Sequence, residues 1–134
     1  MEVIGISGKK YRWNPSKAGG RKTSGLHLKC RLLLKQIYPS DPICEEVFLP
    51  GCSSKLYADF YLPIRKKLIE VQGEQHYKPT IFSKDSIDAS GGKLAFLRGK
   101  ARDAEKIEWA ELNRLTLIAL PFDEIKKWEE LIRG

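Results

Sequence analysis

Residues 56–72 read LYADFYLPIRKKLIEVQ, two apolar runs separated by a short polar link that begins at Pro63. Both runs are rich in the aromatic and β-branched residues that favour strands. The link is short enough to join them as an antiparallel hairpin. We therefore expect Asp59 and Glu70 to lie on neighbouring strands in the middle of the fold.

The patterns on either side of this hairpin predict the rest of an α/β domain. Apolar residues at helical spacing alternate with short apolar runs bounded by Pro and Gly. The run at 115–120 is apolar throughout, so we expect a central strand covered on both faces. Helices around a mixed β-sheet give a three-layer α/β fold. The predicted elements are a helix from Ser24 to about Tyr38, strands at 43–49, 56–62 and 67–72, a helix at 93–113, a strand at 115–120 and a helix at 122–132.

Basic residues are concentrated near the N-terminus. The chain of 134 residues has a formal net charge of +7, and residues 1–38 hold nine Lys or Arg side chains against one acid. This imbalance predicts a basic N-terminal arm, residues 1–23, on a domain formed by residues 24–134, with nucleic acid as the partner. The interleaved rings of Tyr11 and Trp13 could stack on bases, and a solubilising tail is the alternative. The candidate nucleic-acid-binding residues are Lys9, Lys10, Arg12, Lys17, Arg21, Lys22 and Arg102.

The composition limits the class of protein. At 42% hydrophobic residues the chain can bury a core, and no apolar run approaches the roughly 18–20 residues of a membrane-spanning helix. The first residues lack the basic and apolar regions of a signal peptide, so we expect a cytoplasmic protein without membrane contact and with reduced thiols. A zinc site is the alternative use of those thiols, and the ligand spacing disfavours it. Its candidate ligands are His27, Cys30, Cys44 and Cys52.

Two carboxylates interrupt the apolar strands of the central hairpin. Asp59 stands between Ala58 and Phe60, and Glu70 between two β-branched residues. A carboxylate in such a strand is costly unless something compensates its charge, and Mg²⁺ binds carboxylate oxygens while keeping water ligands. The Gln72 amide could share their face of the sheet. The alternative is that both carboxylates point to solvent.

Three further polar residues stand near these acids in the predicted fold. His76 follows the strand that carries Glu70, where an imidazole could donate to a phosphate or a leaving oxygen. A surface histidine in a turn is the alternative. Asp103 and Lys106 are three residues apart and hence on one face of a helix, the spacing of an ordinary ion pair.

Taken together, these motifs resemble the PD-(D/E)XK nuclease superfamily. The likeness is greatest to its branch of very-short-patch-repair-like endonucleases and phage or intron-associated homing endonucleases. The motifs are DF at 59–60, EVQGEQHY at 70–77, DAEK at 103–106 and NRLTLIALPF at 113–122. The resemblance covers about residues 24–132 and implies a restriction-endonuclease-like core. It also implies a metal-dependent DNA endonuclease in a bacterial or phage-infected cell.

The resemblance assigns roles to individual residues. Asp59 and Glu70 would bind Mg²⁺, for which Mn²⁺ could substitute, with the Val71 carbonyl as a third ligand. Gln72 would occupy the position usually held by a lysine and would orient water. Cutting both DNA strands would need two nicks or a homodimer. The remaining correspondences are His76 with the histidine of the branch, Asp103 with its helical acid, and Lys106 with a contact to the phosphate or leaving group.

The sequence departs from the family pattern at two positions. His27 stands where the first helix often carries a glutamate, and the Gln72 amide cannot take a proton from water. Either the metal activates the water, or His76, Glu45 or Glu46 assists. A catalytically decayed nucleic-acid-binding module on the same fold is the alternative function. An RNA-directed nuclease is a third possibility.

Overall fold

The computed structural model describes residues 1–15, 24–73 and 88–134, and the side chains of residues 88–98 lie outside that description. In chain order the elements are strands β1 (Glu2–Ile4) and β2 (Lys10–Arg12), helix α1 (Gly25–Ile37), strands β3 (Cys44–Leu49), β4 (Leu56–Leu62) and β5 (Lys67–Gln72), helix α2 (Asp88–Leu112), strand β6 (Thr116–Pro121), a 3-10 helix (Ile125–Lys127) and helix α3 (Trp128–Arg133).

A mixed sheet forms the middle layer. Its described strands follow the order β3-β4-β5-β6, with antiparallel pairing from β3 to β5 and parallel pairing of β5 with β6. The predicted hairpin of β4 and β5 is confirmed, because Phe60 lies opposite Ile69 and Tyr61 opposite Leu68. The α/β class and the mixed sheet expected from the sequence are therefore correct.

Two hydrophobic clusters cover the two faces of this sheet. On the α1 face, helices α1 and α3 pack on alternate residues of the central strands. On the α2 face, helix α2 and the β1–β2 hairpin pack on the other set. The α1-face cluster includes Cys30, Leu34, Phe60, Ile69 and Trp128, and the α2-face cluster includes Val3, Trp13, Tyr61, Leu68 and Trp109. The arrangement is compatible with a three-layer α/β fold.

The N-terminal residues are packed more closely than an arm would be. Val3 and Trp13 are 1% and 4% exposed, and the Trp13 indole N–H donates to the Phe48 carbonyl at 2.9 Å. The expectation that Trp13 stacks on bases is therefore wrong, since its ring is part of the core. Strands of three residues carry too little periodicity to be detected in a sequence. The expected boundary at residue 23 lies outside the described residues.

Three predicted boundaries or positions are corrected by the structure. Strand β6 lies at an edge of the sheet formed by the described strands, not in its centre. Leu117 packs on the α2 face and Ile118 on the α1 face, so its apolar pattern reflects coverage on both faces and not a central position. Helix α2 begins at Asp88 instead of residue 93. The last helix begins at Trp128, after a 3-10 turn.

Candidate active site

The strands β4 and β5 stop pairing where the two acids occur. Their register runs through three residue pairs and ends at Phe60 and Ile69, one position before Asp59 and Glu70. Beyond that point the Asp59 side chain accepts a hydrogen bond from the Val71 N–H, with Oδ2 at 2.8 Å. The carboxylate therefore satisfies a backbone donor at the point where the strand ladder ends. This bond fixes Asp59 between the two strands.

Asp59 and Glu70 form a buried carboxylate pair. Asp59 is 7% exposed and the Glu70 side chain 13%. Burial, and then the neighbouring charge of Asp59, raise the pKa of Glu70 to about 8, and a hydrogen bond between the two side chains acts in the same direction. The Lys106 ammonium, with Nζ 2.9 Å from Glu70 Oε1, lowers that pKa but does not outweigh the burial. Two carboxylates this close share a proton unless a cation joins them.

The donor set of the pair suits a hard divalent cation. Mg²⁺ binds to one or two carboxylates and fills its remaining positions with water and substrate oxygens. Within the described ranges, no group of three or more His, Cys, Asp or Glu side chains could hold a metal. Asp59, Glu70 and the Val71 carbonyl remain the predicted protein ligands. A cation at the pair would also lower the pKa of Glu70, because it stabilises the ionised carboxylate.

Lys106 reaches the pair from helix α2. The spacing in the sequence suggested an ion pair with Asp103, yet its Nζ extends to the sheet and contacts Glu70. The helix thus places a largely buried ammonium, 15% exposed, beside the two acids. Lys106 therefore supplies an ammonium beside the two acids from helix α2. Its spacing in the sequence gave no sign of this contact.

The other expected site residues lie around this centre. Gln72 is two residues after Glu70 and so projects from the same face of β5. Asp103 is half-buried on α2, one turn before Lys106. His76 lies outside the described residues. The structure therefore brings together Asp59, Glu70 and Lys106, with Gln72 and Asp103 at flanking positions.

A second polar cluster joins α1 to β3 on the α1 face. Arg31 donates to both oxygens of Glu45, with Nη2 at 2.8 Å from Oε1 and Nε at 2.9 Å from Oε2, and His27 Nε2 lies 2.9 Å from Oε1. Burial raises the pKa of Glu45, but the hydrogen bonds from Arg31 and His27 outweigh it, so the net shift is downward. Glu45 is an ionised acceptor with two donors, and it is unsuited to the role of a base that assists at the site.

His27 belongs to this cluster. Its ring stacks on Phe60 at a centroid distance of 4.4 Å, and its Nε2 faces Glu45. The zinc alternative fails on geometry, since Cys30 packs on the α1 face and Cys44 on the α2 face. Burial, with the charges of Asp59 and Glu45, raises the pKa of the Cys30 thiol.

Four of the seven candidate nucleic-acid-binding residues lie in the described part of the chain. Lys9, Lys10 and Arg12 are exposed on the β1–β2 hairpin, and Arg102 is exposed on α2. All four can therefore meet a polyanion. Lys17, Arg21 and Lys22 lie outside the described residues.

Comparisons of the chain with protein-family models, with curated proteins and with solved structures found no match. Among the residues that the structure describes, no helix is long and apolar enough to cross a membrane.

Proposed function

We propose that the chain is a metal-dependent DNA endonuclease that hydrolyses phosphodiester bonds, with Mg²⁺ as the cofactor and Mn²⁺ as a substitute. The buried pair of Asp59 and Glu70, with Lys106 at 2.9 Å from Glu70, is the observation that carries this proposal. Lys106 offsets only part of the charge of the two acids, since the pKa of Glu70 stays raised, and a bound divalent cation would offset the rest. A fold of the restriction-endonuclease type, with two chains acting together on a duplex, belongs to the same proposal.

Each residue of the site has a task that its position supports. When bound, Mg²⁺ polarises the scissile phosphate and lowers the pKa of the attacking water. Asp59 and Glu70 hold the ion, and the bond from the Val71 N–H keeps Asp59 in place. In this proposal the Lys106 ammonium, beside Glu70, contacts a phosphate oxygen or the leaving group. The Gln72 amide orients water through its oxygen and nitrogen.

The distribution of charge supports a nucleic-acid substrate. The exposed basic residues Lys9, Lys10 and Arg12 line one hairpin, and Arg102 is exposed on the helix that carries Lys106. Phosphate contacts of this kind position a duplex without reading its sequence. An anionic backbone could therefore lie across the α2 face towards the carboxylate pair.

The experiment is the incubation of the protein with supercoiled plasmid in Mg²⁺, in Mn²⁺ and in chelator. We expect nicked and linear forms with either metal and unchanged plasmid in chelator. Plasmid that stays supercoiled with both metals, along with intact nicked and branched substrates, would contradict the proposal. Cleavage that persists in chelator would contradict its metal dependence.

A decayed nucleic-acid-binding module remains the second candidate, and Gln72 is the residue that favours it. The amide has no basicity at neutral pH. The substitution Gln72→Lys separates the two functions. Cleavage by the Gln72→Lys variant with an inactive wild type would establish the decayed module. Cleavage by the wild type, with a loss of about tenfold to a hundredfold in Gln72→Ala, would establish the active enzyme.

A further inference from the structure

A second concave site lies one strand away from the carboxylate pair. A cavity of about 300 Å³ opens between the β1–β2 hairpin and strand β3. Arg12, Asn14, Glu46 and Phe48 contribute to its walls, and the buried ring of Trp13 supports one side. The volume suits a single planar ring system and is at the small end for ligand pockets. The walls combine an aromatic face with hydrogen-bonding groups of both kinds.

Glu46 has an unusual backbone conformation at this cavity. Its φ is 49°, in the left-handed region that costs a non-glycine residue about 1 kcal/mol or more. The alternation of side chains between the two faces of the sheet is also broken on the neighbouring strand β4. There Phe60 packs on the α1 face, and Ala58, two residues earlier, packs on the α2 face. Strained residues of this kind are concentrated at functional sites. The conformation places a carboxylate where regular strand alternation would not.

The polar groups of the cavity have no partner in the described part of the chain. The side chains of Glu46, Arg12 and Asn14 make no hydrogen bond or ion pair with another described residue. Glu45, the neighbour of Glu46, is by contrast fully occupied by Arg31 and His27. The cavity therefore offers a carboxylate acceptor, an amide and a guanidinium to a ligand.

An exposed aromatic pair lies beside these groups. Phe48 is 43% exposed and Tyr57 49%, and their ring centroids are 5.4 Å apart across β3 and β4. Large exposed rings of this kind stack on nucleic-acid bases. Phe48 also contributes to the lining of the cavity.

We propose that this cavity binds one unpaired nucleobase of the DNA strand whose phosphate lies at the carboxylate pair, an inference that rests on the proposed function. A carboxylate only accepts hydrogen bonds. Glu46 therefore favours a base that presents two adjacent donors, and guanine does so through N1–H and its amino group. Arg12 meets the phosphate of the same nucleotide, and Phe48 stacks on the base.

The position of the cavity relative to Asp59 fits this ligand. Glu45 pairs with Phe60 and Val47 with Ala58, so Glu46 lies opposite Asp59 in the register. Neighbouring strands are about 5 Å apart, and a DNA strand advances about 3.4 Å per nucleotide. The cavity therefore opens one strand away from the carboxylate pair.

The test measures binding of labelled single strands of sequence T5-X-T5, with X as G, A, C or T, by fluorescence anisotropy in chelator. We expect the strand with G to bind about fivefold or more tightly than the strand with T, the discrimination of one bidentate contact. Glu46→Gln should remove this preference and leave the affinity for the T strand unchanged. Phe48→Ala should weaken binding of all four strands by about fivefold or more.

Matched controls are Glu111→Gln, an exposed glutamate on α2, and Leu131→Ala, an exposed apolar residue on α3. Neither should change the affinities. Equal affinity for all four strands, no binding of any strand, or a G preference that survives Glu46→Gln would overturn the proposal.

Plasmid nicking by the same preparation keeps the two proposals distinct. Nicking without a base preference refutes the cavity alone, and a base preference without nicking refutes the nuclease alone.

Discussion

At the scale of single residues, the ionisation of Glu70 opposes folding. Its pKa of about 8 lies above the ordinary value of 4.5, so the folded state keeps a proton that the unfolded state loses between those values. The contribution of Glu70 to stability is therefore greatest below about pH 4.5, falls as the pH rises towards 8, and is constant above it. The total loss is at most about 5 kcal/mol, at about 1.4 kcal/mol per pKa unit.

The substitution Glu70→Gln checks this account, because an amide keeps the size of the side chain without its charge. Urea unfolding in chelator at about pH 5 and about pH 8.5 should show that the wild type loses stability relative to the variant as the pH rises. Parallel pH profiles of the two proteins would mean that Glu70 ionises normally in the fold.

Replacing Arg114, which follows the end of α2, should stabilise the protein. The φ of Arg114 is 57°, and the Leu115 N–H donates to the Ala110 carbonyl at 2.8 Å, the pattern of a helix end that favours glycine. Arg114→Gly should stabilise the protein by about 0.5–1 kcal/mol in thermal or urea unfolding. Arg102→Gly, within the same helix, should instead cost about 1 kcal/mol. A loss in both variants would refute the backbone argument.

Some residues of the site could be predicted from the sequence, and others could not. Asp59 and Glu70 were predictable, because charged residues interrupt apolar strands joined by a short link. The contact of Lys106 with Glu70 was not, since it joins a helix to a strand 36 residues apart. The left-handed Glu46 was also hidden, because it depends on how two strands twist past each other.

At the scale of elements, a buried cluster of ionic hydrogen bonds joins α1 to β3. Glu45 accepts from Arg31 and His27, and its side chain is 11% exposed. Removing Glu45 takes an ionised acceptor from both Arg31 and His27, and breaking a buried charge pair costs about 3–5 kcal/mol. Glu45→Ala should lower the free energy of unfolding by that amount. Glu129→Ala, which breaks an exposed pair with Arg133, should cost less than about 1 kcal/mol, and similar losses in both would contradict the cluster's role.

The elements themselves were predictable to different extents. The bounds of β4 and β5 follow from their composition and from the turn residues beside them. The helix expected from Ser24 is also found, and Ser24 caps it, with Oγ accepting from the His27 N–H. Strands β1 and β2 were missed because each has three residues. The edge position of β6 was missed because an apolar run reports burial of its faces and carries no information about its neighbours.

At the scale of the whole molecule, the uneven charge predicts salt-dependent binding of DNA. Lys9, Lys10 and Arg12 are exposed on the hairpin, so their joint replacement by Ser should leave the core intact. Each phosphate contact that is lost should reduce the log–log salt slope on duplex DNA by about 0.9. Replacing Lys126 and Lys127 together is the control and should leave the slope unchanged. An unchanged slope in the hairpin variant would mean that this surface does not meet DNA.

In the proposed function, Asp59 on β4 holds the cation with which the chain cuts DNA. The most direct measurement is the rate of plasmid cleavage in Mg²⁺ by the wild type, by Asp59→Asn and by the control Asp123→Asn on the surface. An asparagine can still accept from the Val71 N–H, so the fold should persist. We predict that Asp59→Asn abolishes cleavage, with DNA affinity equal or higher because a negative charge is lost, and that Asp123→Asn cuts normally. Cleavage by Asp59→Asn at the wild-type rate would contradict the account.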